Sequence, residues 1–227
     1  MNKRALRIVN YILIFLPTII NIVTFFYLPE RIPAHYGFNG QVDRWGSRYE
    51  TFLLPAMVIA FGFFMLLMAR ISAKMDCKTP EWERKGRDNE KYCLLSNIAA
   101  LIVFNIMNLY FLYTSFAQVQ NLSETAFDFP SAIFALFGAL FIVMGIIMPK
   151  VHRNSFFGLR TKWSMKNETS WKKSQQFGGI SFITAGVLMI AGTVFLRGIK
   201  CTLWGFVICS VLLIADVIYS YRASKFE

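Results

Sequence analysis

Six stretches of about 20 residues run through this 227-residue chain almost free of charge. They fall at Ile8–Leu28, Phe52–Ile71, Cys93–Phe116, Pro130–Met148, Phe177–Leu196 and Cys201–Tyr221, and are broken mainly by Gly, Asn, Pro and Thr. An α-helix rises 1.5 Å per residue, so a stretch of this length matches about 30 Å of hydrocarbon. The pattern predicts an all-α, polytopic membrane protein built as a six-helix transmembrane bundle.

Composition agrees: 56% of residues are hydrophobic, 23 are Phe and 16% are charged, with a mean hydropathy of +0.46. A soluble domain cannot hide so much apolar surface. Lys3, Arg4 and Arg7 ahead of the first stretch resemble a signal peptide. The stretch is too long for one and no small-x-small cleavage site follows, so it is read as a retained helix. The chain divides into residues 1–72 (two helices and a first loop), 73–129 (a charged loop, the third helix and a short loop) and 130–227 (helices four to six with a long loop).

Charge orients the helices. With the N-terminus inside, 19 Lys and Arg fall in inner segments and 5 in outer ones, which places both termini on the cytoplasmic side of the cell membrane. The net charge of +11 then reflects this asymmetry and attraction to anionic membrane lipids, with no direct nucleic-acid partner implied. Cys77, Cys93, Cys201 and Cys209 show neither CxxC nor metal-type spacing and read as unpaired small apolar residues.

Three loops are long enough to carry function. The first, 29–51 and extracytoplasmic, reads PERIPAHYGFNGQVDRWGSRYET from Pro29. It is turn-rich, and Tyr36, Phe38, Trp45 and Tyr49 have the amphipathic rings favoured at a membrane interface. The second, 74–92, mixes both signs of charge and reads as a solvated helix extension or hairpin. The third, 149–176, interleaves aromatic, basic and small polar residues. In it Gly158 is expected to make a turn, Asn167 to cap a helix with Glu168 in its first turn, and Trp163 and Trp171 to sit at the interface. Arg160, Lys162, Lys172 and Lys173 are placed to meet phosphate headgroups or an acidic partner.

Candidate chemistry is sparse. His35 lies near Asp43, Glu30 and Glu50 in sequence, yet one histidine without HExxH-like spacing favours a structural hydrogen bond over a metal site. His152 reads as an interfacial residue. No catalytic triad or paired-carboxylate pattern is present, and no cofactor is expected. Inside the spans, Asn97, Asn105 and Asn108 share one face of the third helix and are expected to bond to a neighbouring helix. Asp216 is expected to reach the interface or pair with Arg70. In the fifth helix Gly178, Ala185 and Gly192 recur every seven residues beside Gly179 and Gly186, a seam for close helix contact.

The third loop, from Asn154 through Gly158, Arg160, Thr161 and Trp163 to Asn167, Glu168 and Trp171, resembles the SdpI-family signature N-x-x-x-G-[IL]-R-T-x-W-[ST]-[LM]-x-[ND]-E-x-x-W. The first loop, with Pro33, His35, Tyr36, Gly40, Asp43 and Trp45, resembles a membrane-associated domain of unknown function centred on I-P-x-H-[FYW]. The resemblance implies immunity to a secreted membrane-active peptide toxin. It also implies a receptor role in which a small cytoplasmic winged-helix repressor is held at the membrane. The alternative is a small-solute or lipid transporter using the polar faces around Asn105, Asn108 and Asp216; a membrane hydrolase trails both.

Overall fold

The computed structural model describes residues 2–37, 39–76, 83–122, 125, 129–154 and 157–225, with only the backbone at 75, 76 and 83–88. Phe38, Cys77 and the signature residues at 155–156 therefore lie outside the described residues.

Among the described residues six helices are long and apolar enough to cross a membrane: α1 (Lys3–Thr24), α2 (Leu53–Asp76), α3 (Glu83–Phe116), α4 (Phe129–Ile147), α5 (Glu168–Phe195) and α6 (Ile199–Ala223). The chain is a multi-pass membrane protein, as the hydropathy predicts. Several helices outrun the apolar stretches that announced them. α1 begins at Lys3, capped by the Asn2 side chain, which accepts from the Arg4 N–H. α2 runs to Asp76 and α3 starts at Glu83, so the described ends of the charged second loop are helix extensions.

One element departs from the turn-rich reading of the first loop. Arg31–Tyr36 (β1) and Val42–Ser47 (β2) pair antiparallel as a two-stranded hairpin with an irregular register around Ala34. Gly40 turns it at φ +79°, a value that favours glycine. The sheet is minor and the architecture remains helical.

The helices form two groups of three, α1–α3 and α4–α6, which meet through α3 and α4. Leu6, Ile14, Val58, Leu66, Leu94 and Leu101 fill the first group, and Ala185, Met189, Ile208 and Leu212 lie in the second. A third cluster, containing Ala69, Cys93, Ile147, Val151, Phe157 and Trp171, joins the two at one end. Large apolar side chains such as Ile12, Phe64, Phe206 and Val211 point outward, as lipid-facing positions do. Cys93 and Cys201 are buried thiols.

Between α1 and α3 the expected asparagine bonds are present. Asn97 Nδ2 donates to Asn10 Oδ1 (2.7 Å), Asn105 Nδ2 to the Leu13 carbonyl (3.0 Å) and Asn108 Nδ2 to Asn21 Oδ1 (2.8 Å). At one end Lys3 Nζ lies 3.1 Å from Glu90, which also accepts from Arg7. Lys3–Glu90, Asn10–Asn97 and Asn21–Asn108 share one sequence offset of 87 residues. The two helices therefore run parallel and in register, zipped by polar groups that hydrocarbon would leave unsatisfied. Asn97→Leu strands the Asn10 acceptor and is expected to cost about 1–2 kcal/mol. Adding Asn10→Leu should recover part of that loss, read as thermal midpoints of the purified protein.

The α5 glycines serve two neighbours. A Cβ on Gly145 would lie 2.6 Å from the Gly179 carbonyl oxygen, and one on Gly138 would lie 2.7 Å from that of Gly186. The backbones of α4 and α5 thus meet at both pairs. Gly192 abuts the Trp204 ring of α6, while Gly178 abuts Met148.

Two expectations are corrected. Asp216 neither pairs with Arg70 nor reaches the surface: its Oδ1 accepts from Ser181 Oγ at 2.6 Å, and the residue is buried between α5 and α6. Arg70 instead donates to the Tyr11 hydroxyl. Trp171 is not at an interface, being only 2% exposed within the cluster that joins the two helix groups. Its position in the first turn of α5 turns the ring toward Val151, and the indole N–H gains a partner there.

Candidate functional site

The two motif loops lie at opposite ends of the bundle, and each is ordered by its own side chains. At the end that carries the N-terminus of α1, the loop after α4 begins with a 3-10 turn, Met148–Lys150. Asn154 organises the next residues: its Nδ2 donates to the His152 and Phe157 carbonyls (2.8 and 3.0 Å), and its Oδ1 accepts from the Phe157 N–H (2.6 Å). An amide that bonds locally in this way substitutes for a regular backbone ladder.

Gly158 follows with φ +101°, and a Cβ there would meet Gln175 Oε1 at 2.5 Å. The glycine is required both by its conformation and by the close approach of Gln175. Gln175 brackets Leu159, accepting from its N–H (3.0 Å) and donating to its carbonyl (2.9 Å). Thr161 and Ser164 bond reciprocally, each hydroxyl accepting from the other's N–H. Asn167 then caps α5, accepting from the Ser170 N–H at 2.7 Å, with Glu168 in the first turn.

Contacts along its length fix this loop to the helices. Trp171 Nε1 donates to the Val151 carbonyl (2.8 Å). Asn89, at the start of α3, accepts from the His152 N–H (2.9 Å) and donates to its carbonyl (3.1 Å). Thr161 Oγ1 lies 2.8 Å from Ser220 Oγ of α6. Trp163 packs edge-on against Tyr221, ring centroids 5.3 Å apart, with Lys162 over the Trp163 ring. Asn154, Gly158, Thr161, Asn167 and Trp171 of the signature thus shape the loop, whereas its Arg160 and the neighbouring Lys150, Lys162 and Lys172 are exposed. Among the described residues the Arg160 side chain makes no hydrogen bond or ion pair.

At the other end, His35 Nδ1 lies 2.6 Å from Asp43 Oδ1 across the hairpin, the structural bond expected of it. Arg44 forks onto Glu50 through two bonds (3.1 and 2.8 Å). Tyr36 donates its hydroxyl to the Val119 carbonyl (2.9 Å), and burial pushes its phenol above the usual range, which keeps it a donor. The Val42 N–H bonds to the Gln120 carbonyl. The hairpin is therefore strapped to the segment that follows α3. Trp45 and Tyr49 are exposed. Beneath the hairpin lies a cavity of about 290 Å³, lined by Ile32 and Pro33 of the I-P-x-H motif, Arg44, Glu50, Met57 and Asn108 among others.

Sequence reasoning missed Asn10, Asn21, Asn89, Glu90 and Gln175. Asn10 and Asn21 had a signal: their 11-residue spacing equals that of Asn97 and Asn108. Gln175 had none, because its role exists only once Gly158 folds against it.

Six spanning helices, a hairpin at one end and an asparagine-organised basic loop at the other define a polytopic membrane protein with an SdpI-type loop. Residues 150–220 match the SdpI/YfhL protein family, which is not an enzyme family, and residues 12–59 match DUF1648, a domain of unknown function. Across 222 residues, 96% of both chains, the chain is 24% identical to the immunity protein SdpI of Bacillus subtilis (strain 168). It is also 32% identical over 79 residues to an uncharacterized protein of Archaeoglobus fulgidus, covering 35% of this chain and 43% of that one. No solved structure gives a significant match.

Proposed function

We propose that this chain is a membrane immunity protein that protects its bacterial cell from a secreted, membrane-active peptide toxin. Its termini and basic loop lie in the cytoplasm, and its hairpin faces outward. The observation that carries the reading is the match to an immunity protein over nearly the whole of both chains, with both motif loops inside the matched region. The sidedness rests on the 19 to 5 distribution of Lys and Arg. The hairpin engages the peptide, and the exposed Lys150, Arg160, Lys162 and Lys172 suit the acidic surface of a small winged-helix repressor. Of the polar residues that suggested a transporter, Asn105 and Asn108 spend their N–H groups on α1 and Asp216 accepts from Ser181, which favours immunity.

The test is expression in a toxin-sensitive cell. Membrane potential should persist when the peptide is added; collapse at the rate of cells without the protein would reject the reading. Arg160→Ala should change the stability by no more than about 0.5 kcal/mol, as surface substitutions do. Protection or repressor recruitment should nonetheless be lost.

A further inference from the structure

The cavity under the hairpin has the chemistry of a binding site that recognises one kind of side chain. Its walls are apolar, from Ile32 and Pro33 of β1, Leu53 and Met57 of α2, and Phe111 and Leu112 of α3. Its floor is polar, formed by Asn21 and Asn108. Asn108 is only 2% exposed, and its Nδ2 is committed to Asn21. Among the described residues nothing donates to its Oδ1. That oxygen belongs to a residue lining the cavity, so it can accept a hydrogen bond from a ligand seated there. At the mouth the Arg44–Glu50 pair keeps the rim polar. Leu53 and Met57, 63% and 66% exposed, carry the apolar wall out to the lipid-facing surface.

A ligand that fits has an apolar body and a hydrogen-bond donor at its far tip, and arrives from the membrane surface. An acyl chain has the body and lacks the donor. An indole or phenol ring has both, and such rings partition to the level at which this mouth opens. We infer that the cavity is the seat of a Trp or Tyr side chain of a peptide lying in the outer membrane interface, with its N–H or O–H on Asn108 Oδ1. The inference rests on the immunity reading and names the part of the toxin that the protein holds.

The test uses the full chain in lipid nanodiscs and, as probe, a Leu/Lys amphipathic peptide carrying one Trp beside a photoreactive diazirine residue. Irradiation should place adducts on Met57, Phe111 and Leu112. Exchanging the peptide Trp for Leu should reduce them at least tenfold, since a site built to bond a polar tip rejects the analogue without it. Asn108→Leu should do the same. Met57→Trp, at an exposed position, fills the mouth without touching the asparagine zipper and should also abolish the adducts. Adducts spread over lipid-facing positions such as Val211 and Phe206, adducts to phospholipid alone, or equal capture of the Leu peptide would overturn the inference. Protection of cells that survives Met57→Trp would likewise refute the cavity while leaving the immunity reading intact. Loss of protection by the unaltered chain would strike the immunity reading and not the cavity.

Discussion

Gly186→Leu is expected to prevent the two helices of the α4–α5 seam from meeting, with little folded protein recovered. The obstacle is steric. Each glycine of the two crossing pairs lies against a backbone carbonyl of the other helix, and a Cβ on Gly179 would come within 2.8 Å of the Gly145 carbonyl oxygen. Backbone cannot rotate aside as a side chain can, so a leucine must push the helices apart along the whole seam. Overpacking of a dense core costs about 1–3 kcal/mol and occasionally more. The seam holds two such pairs, so about 3 kcal/mol is a lower figure here. In lipid there is little hydrophobic force to drive the helices back together. The check is the monodisperse fraction after detergent extraction. Wild-type recovery of Gly186→Leu would mean that the contact is not close.

Trp171→Ala is expected to be the most damaging change in the signature loop. The ring is buried in the cluster that joins the two helix groups, and its N–H holds the Val151 carbonyl. Truncating a buried Trp costs about 3–5 kcal/mol, most of it for the cavity left behind. Trp171→Phe keeps most of the packing and loses only the hydrogen bond, so about 1 kcal/mol is expected from it. A thermal midpoint that falls steeply for Ala and slightly for Phe would bear this out. Equal falls would assign the residue's value to the bond instead.

What the sequence made legible follows from which interactions are local. Span number and the seam on α5 are periodic patterns along one helix, and both are found as expected. Gly158 and Asn167 act on their own backbone, and their turn and cap roles were visible too. The hairpin was hidden because Pro33 interrupts β1 and the register slips beside Ala34, so the alternation that marks a strand is broken. Trp171 was misread because an aromatic ring near a helix end suits an interface as well as a core. Only the fold against Val151 and Ala69 decides between them. Asp216 was assigned a charged partner, but the described fold offers it the Ser181 hydroxyl across α5 and α6.

The α1–α3 zipper gives the two ends of the molecule a shared element. α3 carries Asn108 at the cavity, Glu90 at the pair with Lys3 and Arg7, and Asn89 on the His152 backbone. A peptide seated under the hairpin would therefore touch the same helix that holds the signature loop in place.

Capture of a secreted peptide by the hairpin requires the two motif loops to face opposite sides of the membrane, with the hairpin outside. The most direct measurement is labelling of intact cells by a membrane-impermeant maleimide, with single cysteines in a background lacking the native four. Asn39→Cys in the hairpin turn should label at once, and Lys166→Cys in the basic loop only after the cells are permeabilised. Labelling of Lys166→Cys in intact cells with Asn39→Cys protected would invert the molecule and contradict the account.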